Sequence, residues 1–212
     1  MTGTGAGDPT RSARAETAPL AVAVARQRQA QPNGWWGMVL FLCAEVTLFG
    51  TLLATYFYLD FGAHRWPQAG IKAPSVVLPL VATAGLILSS VPMLLAVRAS
   101  RAGARRPTAW LIALALVIQC GYLAGQVLLF AHDLRQFSPQ ATAYGSIYFT
   151  MLAAHHAHVL LGILLDVGVL WHVAARQLSN YWLIAVRCVA LYWHVVNVIA
   201  VLVVLTQLSP SL

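Results

Sequence analysis

Ionisable side chains inside long apolar runs are the residues of this sequence most able to do chemistry. Glu45 lies near the middle of an apolar run that begins at Trp36, and no basic residue shares that run. An acidic residue at the centre of a membrane span costs about 2.5–3.5 kcal/mol on insertion scales, and protonation lowers that cost. Glu45 is therefore a candidate for proton exchange or contact with a partner. The alternative is a neutral carboxyl hydrogen-bonded to a neighbouring helix.

Histidines in a later run form a polar stripe at helical spacing. His155 and His158 are three residues apart, so they share a helix face. His156 points about 100° away from His155. Gly162 and Asp166 continue the stripe at four-residue intervals. We expect a glycine at that position to allow a second helix to approach closely.

The last apolar run carries a second polar stripe. His194 and Asn197 are again three residues apart, directly after Trp193. Polar residues inside a span can hydrogen-bond across helices, each contact contributing about 0.6–2 kcal/mol to packing. Helix packing is therefore one interpretation of both stripes.

A cofactor is the other interpretation. Haem needs axial ligands on facing helices, which His155 or His158 together with His194 could supply. A metal ion needs three or four ligands, and Glu45, His155 and His158 are a conceivable set. The three cysteines are far apart, and the sequence contains no hydrolase or phosphate-loop motif. We predict no catalytic residue and no metal in this chain.

Composition points to the bilayer as the solvent of this chain. The sequence is 59% hydrophobic and 9% charged, whereas a soluble domain carries about 25% charged residues. The net charge of +7 could indicate nucleic-acid binding. The charges lie in short segments between apolar runs rather than on one face, which argues against nucleic acid and favours anionic lipid head groups.

Five apolar runs are each long enough for a span, which needs about 20 residues. Proline, glycine or charged residues bound each run and mark the loops. The sequence predicts an all-α integral membrane protein with a disordered basic leader over residues 1–33, although an Arg-rich transit peptide is an alternative reading of that segment. The transmembrane domain is predicted over 34–212, with spans at about 36–59, 76–97, 108–130, 144–171 and 183–207.

The distribution of basic residues predicts the orientation. Of the 13 Lys and Arg residues, ten lie in the leader and in the second and fourth connections, and three lie on the other side. Because the side rich in Lys and Arg stays in the cytoplasm, we expect a cytoplasmic amino terminus and an external carboxyl terminus.

Four stretches of the chain resemble subunit III of the haem–copper terminal oxidases, the cytochrome c oxidase subunit 3 family. Phe41–Phe49 resembles the family's Glu-bearing helix, and Thr83–Ser90 resembles its Leu-x-Ser-Ser stretch. Tyr144–Gly162 resembles its Gly-Ser-x-Phe-Phe…His-Gly-x-His-Val-x-x-Gly signature. Tyr192–Asn197 resembles Tyr-Trp-His-Phe-Val-Asp. The four occur in family order and together cover about residues 35–207.

Four positions depart from the family pattern, and one of them is Ala82, which stands where Asn is usual. Asn197 stands where the family usually has Asp, His156 stands for Gly, and Leu129 lies where Glu is common. These differences suggest a divergent branch, either a less typical oxidase or the related subunit found with nitric oxide reductases.

The resemblance implies a five-helix bacterial form with a lipid-filled cleft, in the bacterial cytoplasmic membrane. It implies a non-catalytic subunit of a cytochrome c or quinol oxidase, with haems and copper in partner subunits, bound phospholipid, and subunits I and II as partners. Such a subunit supports proton uptake and the stability of subunit I. The residues implied for the lipid cleft or proton uptake are Glu45, His155, His158, Trp193, His194 and Asn197. Those implied for contact with subunit I are Thr83, Ser89, Ser90 and Gly162.

Two further alternatives remain open on the residues alone. A haem-b electron-transfer subunit would use the histidines as ligands. A small transporter would relay protons through Glu45 and Asp166.

Overall fold

The computed structural model describes residues 33–67, 71, 77–175 and 180–208. The predicted leader lies outside the described residues, apart from its last residue. All the secondary-structure elements of the described part are α-helices. The helices are α1 (Asn33–Gly62), α2 (Val77–Leu88), α3 (Ser90–Arg101), α4 (Arg105–Gln136), α5 (Ala143–Ala175) and α6 (Asn180–Leu208).

Five helical segments in this part are long and apolar enough to cross a membrane, with α2 and α3 counted as one. The prediction of an all-α chain with five long apolar helices is therefore confirmed. The helices extend a few residues beyond most of the apolar runs, because backbone hydrogen bonding continues where the side chains become polar. In α4, for example, helix continues to Gln136, past the charged Asp133 and Arg135.

The second span is interrupted at Ser89. Pro92 has no amide hydrogen, so it cannot donate to the carbonyl of Leu88, four residues earlier. The Ser89 hydroxyl donates to the Leu86 carbonyl at 2.6 Å, which satisfies an acceptor beside the break. Helix resumes at once as α3, since Ser89 itself keeps helical dihedral angles.

Helix α6 forms the centre of the bundle. Of its apolar stretch, 61% is buried, compared with 11% of that of α1. Within the described chain, α6 packs on α1, α2, α3 and α5, whereas α1 packs only on α5 and α6. Helix α1 is thus the outermost helix, and one side of α6 beside it stays open.

The five spans run in alternating directions, so the connections gather at two ends. At one end the Arg187 guanidinium lies over the Trp35 ring, 5.0 Å from its centroid, and joins the starts of α6 and α1. Arg105 at the start of α4 donates to the Val173 and Ala174 carbonyls at the end of α5. We call this the arginine end, because it contains Arg98, Arg101, Arg105, Arg106 and Arg187.

Aromatic side chains close the opposite end. The Tyr56 hydroxyl donates to the Thr206 carbonyl at 2.7 Å and accepts from the Trp66 indole at 3.0 Å. The Trp66 ring packs edge-on against Tyr144, with centroids 5.1 Å apart. These contacts tie the end of α1 to the start of α5 and the end of α6.

Candidate functional site: the Glu45–His158 pair and its groove

Glu45 of α1 and His158 of α5 form a side-chain pair between the two helices. Glu45 Oε2 contacts His158 Nε2, and the two side chains are 17% and 14% exposed. The other ring nitrogen, Nδ1, lies 2.7 Å from the Ala154 carbonyl oxygen. A carbonyl oxygen only accepts hydrogen bonds, so Nδ1 carries a proton. A hydrogen bond between the carboxyl group and Nε2 then requires one further proton between them.

That single shared proton can lie on either partner, so the pair has two tautomeric states with the same number of protons. One state is a neutral acid beside a neutral imidazole, and the other is a carboxylate beside an imidazolium. Both states have no net charge, which matters where an uncompensated charge is costly. The pair can therefore exchange a proton internally without adding net charge to the interior of the bundle.

Aromatic rings hold the pair in place. Phe49, one helical turn beyond Glu45, packs edge-on against the His158 ring at a centroid distance of 5.1 Å. The Tyr192 hydroxyl of α6 donates to the His158 carbonyl at 2.7 Å. Phe41 stacks on Tyr192 with centroids 6.2 Å apart. Helices α1, α5 and α6 thus all contribute to positioning the pair.

Gly162 sets how closely α5 approaches α6. A Cβ atom at this position would lie 2.7 Å from Cζ2 of Trp193 and 2.9 Å from Cε1 of Tyr192. Real Cβ atoms essentially never approach other heavy atoms so closely, so the two rings fill the space that glycine leaves. The close approach expected from the sequence is present.

An apolar groove lies beside the pair, between α1 and α6. Its volume is about 320 Å³, and Val46 and Val198 on its walls are more than half exposed, so it opens on the bundle surface. Among the described residues, His194 is the one histidine on its walls. The lining residues are Val46, Phe49, Gly50, Leu53, His194, Val195, Val198, Ile199 and Leu202.

The other three residues implied for the lipid cleft or proton uptake do not line this groove, and their roles stay predictions. His155 is 2% exposed and lies 3.1 Å from the Tyr122 hydroxyl of α4. Trp193 is fully buried against Gly162. The Asn197 amide donates to Ser90 Oγ at 2.7 Å, at the break between α2 and α3. The structure therefore places Glu45, His158 and His194 at or beside the groove and the other three in the interior.

The metal-ligand set considered from the sequence is not assembled. Glu45 contacts His158, but His155 contacts Tyr122 of α4 instead. Residues three apart on a helix differ by about 60° in direction, so a helix with neighbours on two sides sends them to different partners. Across the described ranges, no group of three His, Cys, Asp or Glu side chains could hold a metal ion.

The residues predicted to contact subunit I are mostly internal. Thr83 is 3% exposed and Ser89 is fully buried. Gly162 is covered by Trp193, and Ser90 accepts the Asn197 hydrogen bond. Their role toward subunit I stays a prediction, and it would act through the helices that they hold together.

Sequence reasoning missed three contributors to the site. Phe49 and Tyr192 lie inside the stretches used for the resemblance, and Phe49 is four residues from Glu45, so helical spacing could have identified it. Tyr122 carries no such signal, because its partner His155 is 33 residues away.

Comparison with known proteins decides the family. A family model described as cytochrome c oxidase subunit III matches residues 25–208. The chain belongs to the cytochrome c oxidase subunit III family. A probable quinol oxidase subunit 3 of Staphylococcus haemolyticus (strain JCSC1435) is 30% identical over 177 residues, which cover 82% of this chain and 87% of the relative. One of Staphylococcus aureus (strain USA300) is 28% identical over 171 residues, covering 80% and 84%.

This chain is thus subunit III of a haem–copper terminal oxidase, which is a cytochrome c or quinol oxidase. It is a multi-pass membrane protein of a bacterial-type respiratory oxidase. Subunits of this family carry no redox centre. The resemblance found in the four stretches is confirmed, and the haem-b subunit and small transporter alternatives lose their support.

Replacing Gly162 with alanine should weaken the subunit. The added Cβ collides with Trp193 and Tyr192, and such overpacking costs about 1–3 kcal/mol. We expect the midpoint of thermal unfolding to fall by about 2–4 °C per kcal/mol lost, measured on the purified complex. Gly168→Ala is the matched control, because a Cβ there meets nothing within 4 Å and the helix gains propensity. Equal effects of the two variants would contradict the close packing at Gly162.

Proposed function

We propose that this subunit stabilises the oxygen-reducing, proton-pumping subunit I by holding a membrane lipid beside the Glu45–His158 pair. The observation that carries the proposal is the position of the pair at the edge of an apolar groove that opens on the bundle surface. Val46 follows Glu45 directly, and Phe49 both contacts His158 and lines the groove. A lipid in the groove and the Glu45–His158 pair would therefore both contact Phe49.

The shape and chemistry of the groove suit an acyl chain. The α1 residues on its wall run from Val46 to Leu53, which is roughly 10 Å along a helix. Hydrocarbon side chains supply almost all of the lining that the structure describes, and His194 is the one ionisable group in it. An acyl chain buried there would cover apolar side chains that are otherwise exposed between α1 and α6.

The pair gives the lipid site a link to proton chemistry. Its single shared proton moves between Glu45 and His158 without a change in net charge. A lipid in the groove would exclude water from this proton and keep its environment constant during turnover. The subunit thereby supports proton uptake and the stability of subunit I without a redox centre of its own.

The orientation in this proposal follows from charge. The arginine end contains five described arginines, and the described helices bring no Asp or Glu to it. Basic residues favour the cytoplasmic side and interact with anionic lipid head groups. We place the arginine end in the cytoplasm and the aromatic end outside.

Subunits I and II are the proposed partners, and quinol is the proposed electron donor. The relatives from two Staphylococcus species are both described as probable quinol oxidase subunits. A complex isolated through this chain in mild detergent should contain a haem–copper subunit and should oxidise a quinol analogue faster than reduced cytochrome c. Preference for cytochrome c would overturn the choice of donor, and isolation of a folded chain with no haem–copper partner would overturn the assignment to a complex.

Glu45→Gln should leave assembly intact and abolish labelling by a hydrophobic carbodiimide. The reagent partitions into lipid and reacts with protonated carboxyl groups, and Glu45 is accessible beside the groove. Gel mobility of the complex and mass spectrometry of the labelled subunit measure the two effects. Asp166→Asn is the control that keeps the label, because Asp166 is fully buried. Labelling that persists in Glu45→Gln would remove Glu45 from the site.

Filling the groove should displace the lipid. Gly50 lines the groove, and a Cβ there meets nothing within 4 Å, so Gly50→Phe places a ring in the acyl-chain position. We expect fewer phospholipids retained per complex in native mass spectrometry and faster loss of activity during turnover. Gly37→Phe is the matched control, because Gly37 is an exposed α1 glycine outside the groove lining. Unchanged lipid retention in Gly50→Phe would exclude this groove as the lipid site.

A further inference from the structure

A second, much smaller cavity lies inside the bundle, among α2, α4, α5 and α6. Its volume is about 10 Å³, and residues from all four helices line it. Several of these residues are polar, in contrast to the apolar groove. The polar members are Tyr122, Gln126, His155, His156 and Gln207.

Two polar atoms on residues that line this cavity have no hydrogen-bond partner among the described residues. His155 Nε2 lies 3.1 Å from the Tyr122 hydroxyl, whereas His155 Nδ1 is buried and unpaired. Gln207 Oε1 on α6 is likewise buried and unpaired. The two residues are 2% and 5% exposed, so bulk solvent does not satisfy either atom.

We propose that one water molecule occupies this cavity and bridges His155 Nδ1 to Gln207 Oε1. A buried water needs two to four polar partners and roughly 10–15 Å³, about the size of this cavity. A water molecule donates to the Gln207 carbonyl oxygen and either donates to or accepts from Nδ1. The bridge therefore forms with either neutral tautomer of His155.

Other occupants do not fit the cavity. An empty cavity would leave a ring nitrogen and a carbonyl oxygen unpaired inside the bundle, which costs free energy. Organic ligands exceed its volume. In the described residues no three potential His, Cys, Asp or Glu ligands converge on one point, so a metal ion lacks a ligand set.

The bridge would connect helices that do not pack against each other directly. In the described chain α4 packs on α2, α3 and α5, and α6 reaches it only through these helices. Tyr122 on α4, His155 on α5, the water and Gln207 on α6 would form one hydrogen-bonded line. His155 is then a residue that joins helices, separate from the pair of Glu45 and His158.

The direction in which one substitution shifts the unfolding midpoint tests the proposal on the intact complex. Gln207→Leu removes the acceptor and leaves His155 Nδ1 without its bridge, so we expect the unfolding midpoint of the subunit to fall by about 2–4 °C. In a dry cavity the same change removes an unpaired polar atom, and the midpoint would stay constant or rise. Gln136→Leu, at an exposed position near the end of α4, controls for the general effect of this substitution.

A double-mutant cycle with His155→Leu measures the coupling between two side chains that no hydrogen bond joins directly. Loss of the Tyr122 contact cancels in the cycle, so the water bridge predicts a combined shift smaller than the sum of the single shifts. If His155→Leu does not assemble, the direction of the midpoint shift in Gln207→Leu still distinguishes a water-filled cavity from a dry one. Density for a water within hydrogen-bond distance of both atoms in a high-resolution structure of the oxidase would support the bridge, and an empty cavity beside other ordered internal waters would overturn it.

Discussion

The close packing of α5 on α6 at Gly162 is the constraint on which the site depends. The Trp193 and Tyr192 rings occupy the space where a larger residue would place its Cβ. The same Tyr192 donates to the His158 carbonyl one turn away, so the packing fixes the backbone that carries the histidine. Helix α1 packs on both α5 and α6. The groove lies between α1 and α6, on the side that opens on the bundle surface.

A bilayer changes how the polar residues of this subunit are satisfied. On the exposed face of α1, the hydroxyls of Thr47, Thr51 and Thr55 each donate to the carbonyl four residues earlier, at 2.8–2.9 Å. Lipid offers no hydrogen bonds, so these hydroxyls pair within their own helix. In the interior, Asn197 and Ser90 pair across helices for the same reason.

The sequence was sufficient for the fold and for part of the site. Apolar runs bounded by proline and charge predicted the five long helices, because a span needs a minimum length of hydrocarbon side chains. The interruption of the second span at Ser89 was not predicted, although Pro92 lies three residues beyond it and lacks the amide hydrogen that a continuous helix needs. The cost of an acid in a span made Glu45 a candidate, and the spacing of Gly162 indicated close helix approach.

Partners across helices could not be predicted in the same way. Glu45 and His158 are 113 residues apart, and helical periodicity describes only neighbours on one helix. His155 and His158 were expected to share a face and a role, but α5 is packed on two sides and gives them different partners. Which side of α5 each histidine faces depends on how the helices pack, and a spacing of three residues does not specify it.

The most direct measurement of the central claim is the rate at which the oxidase loses activity during sustained oxygen reduction. It is compared for complexes with the native chain, with a His158→Asn chain, and without the chain. We expect the native complex to inactivate most slowly, the complex without the chain fastest, and the variant between them. Equal inactivation rates with and without the chain would contradict a stabilising role for this subunit.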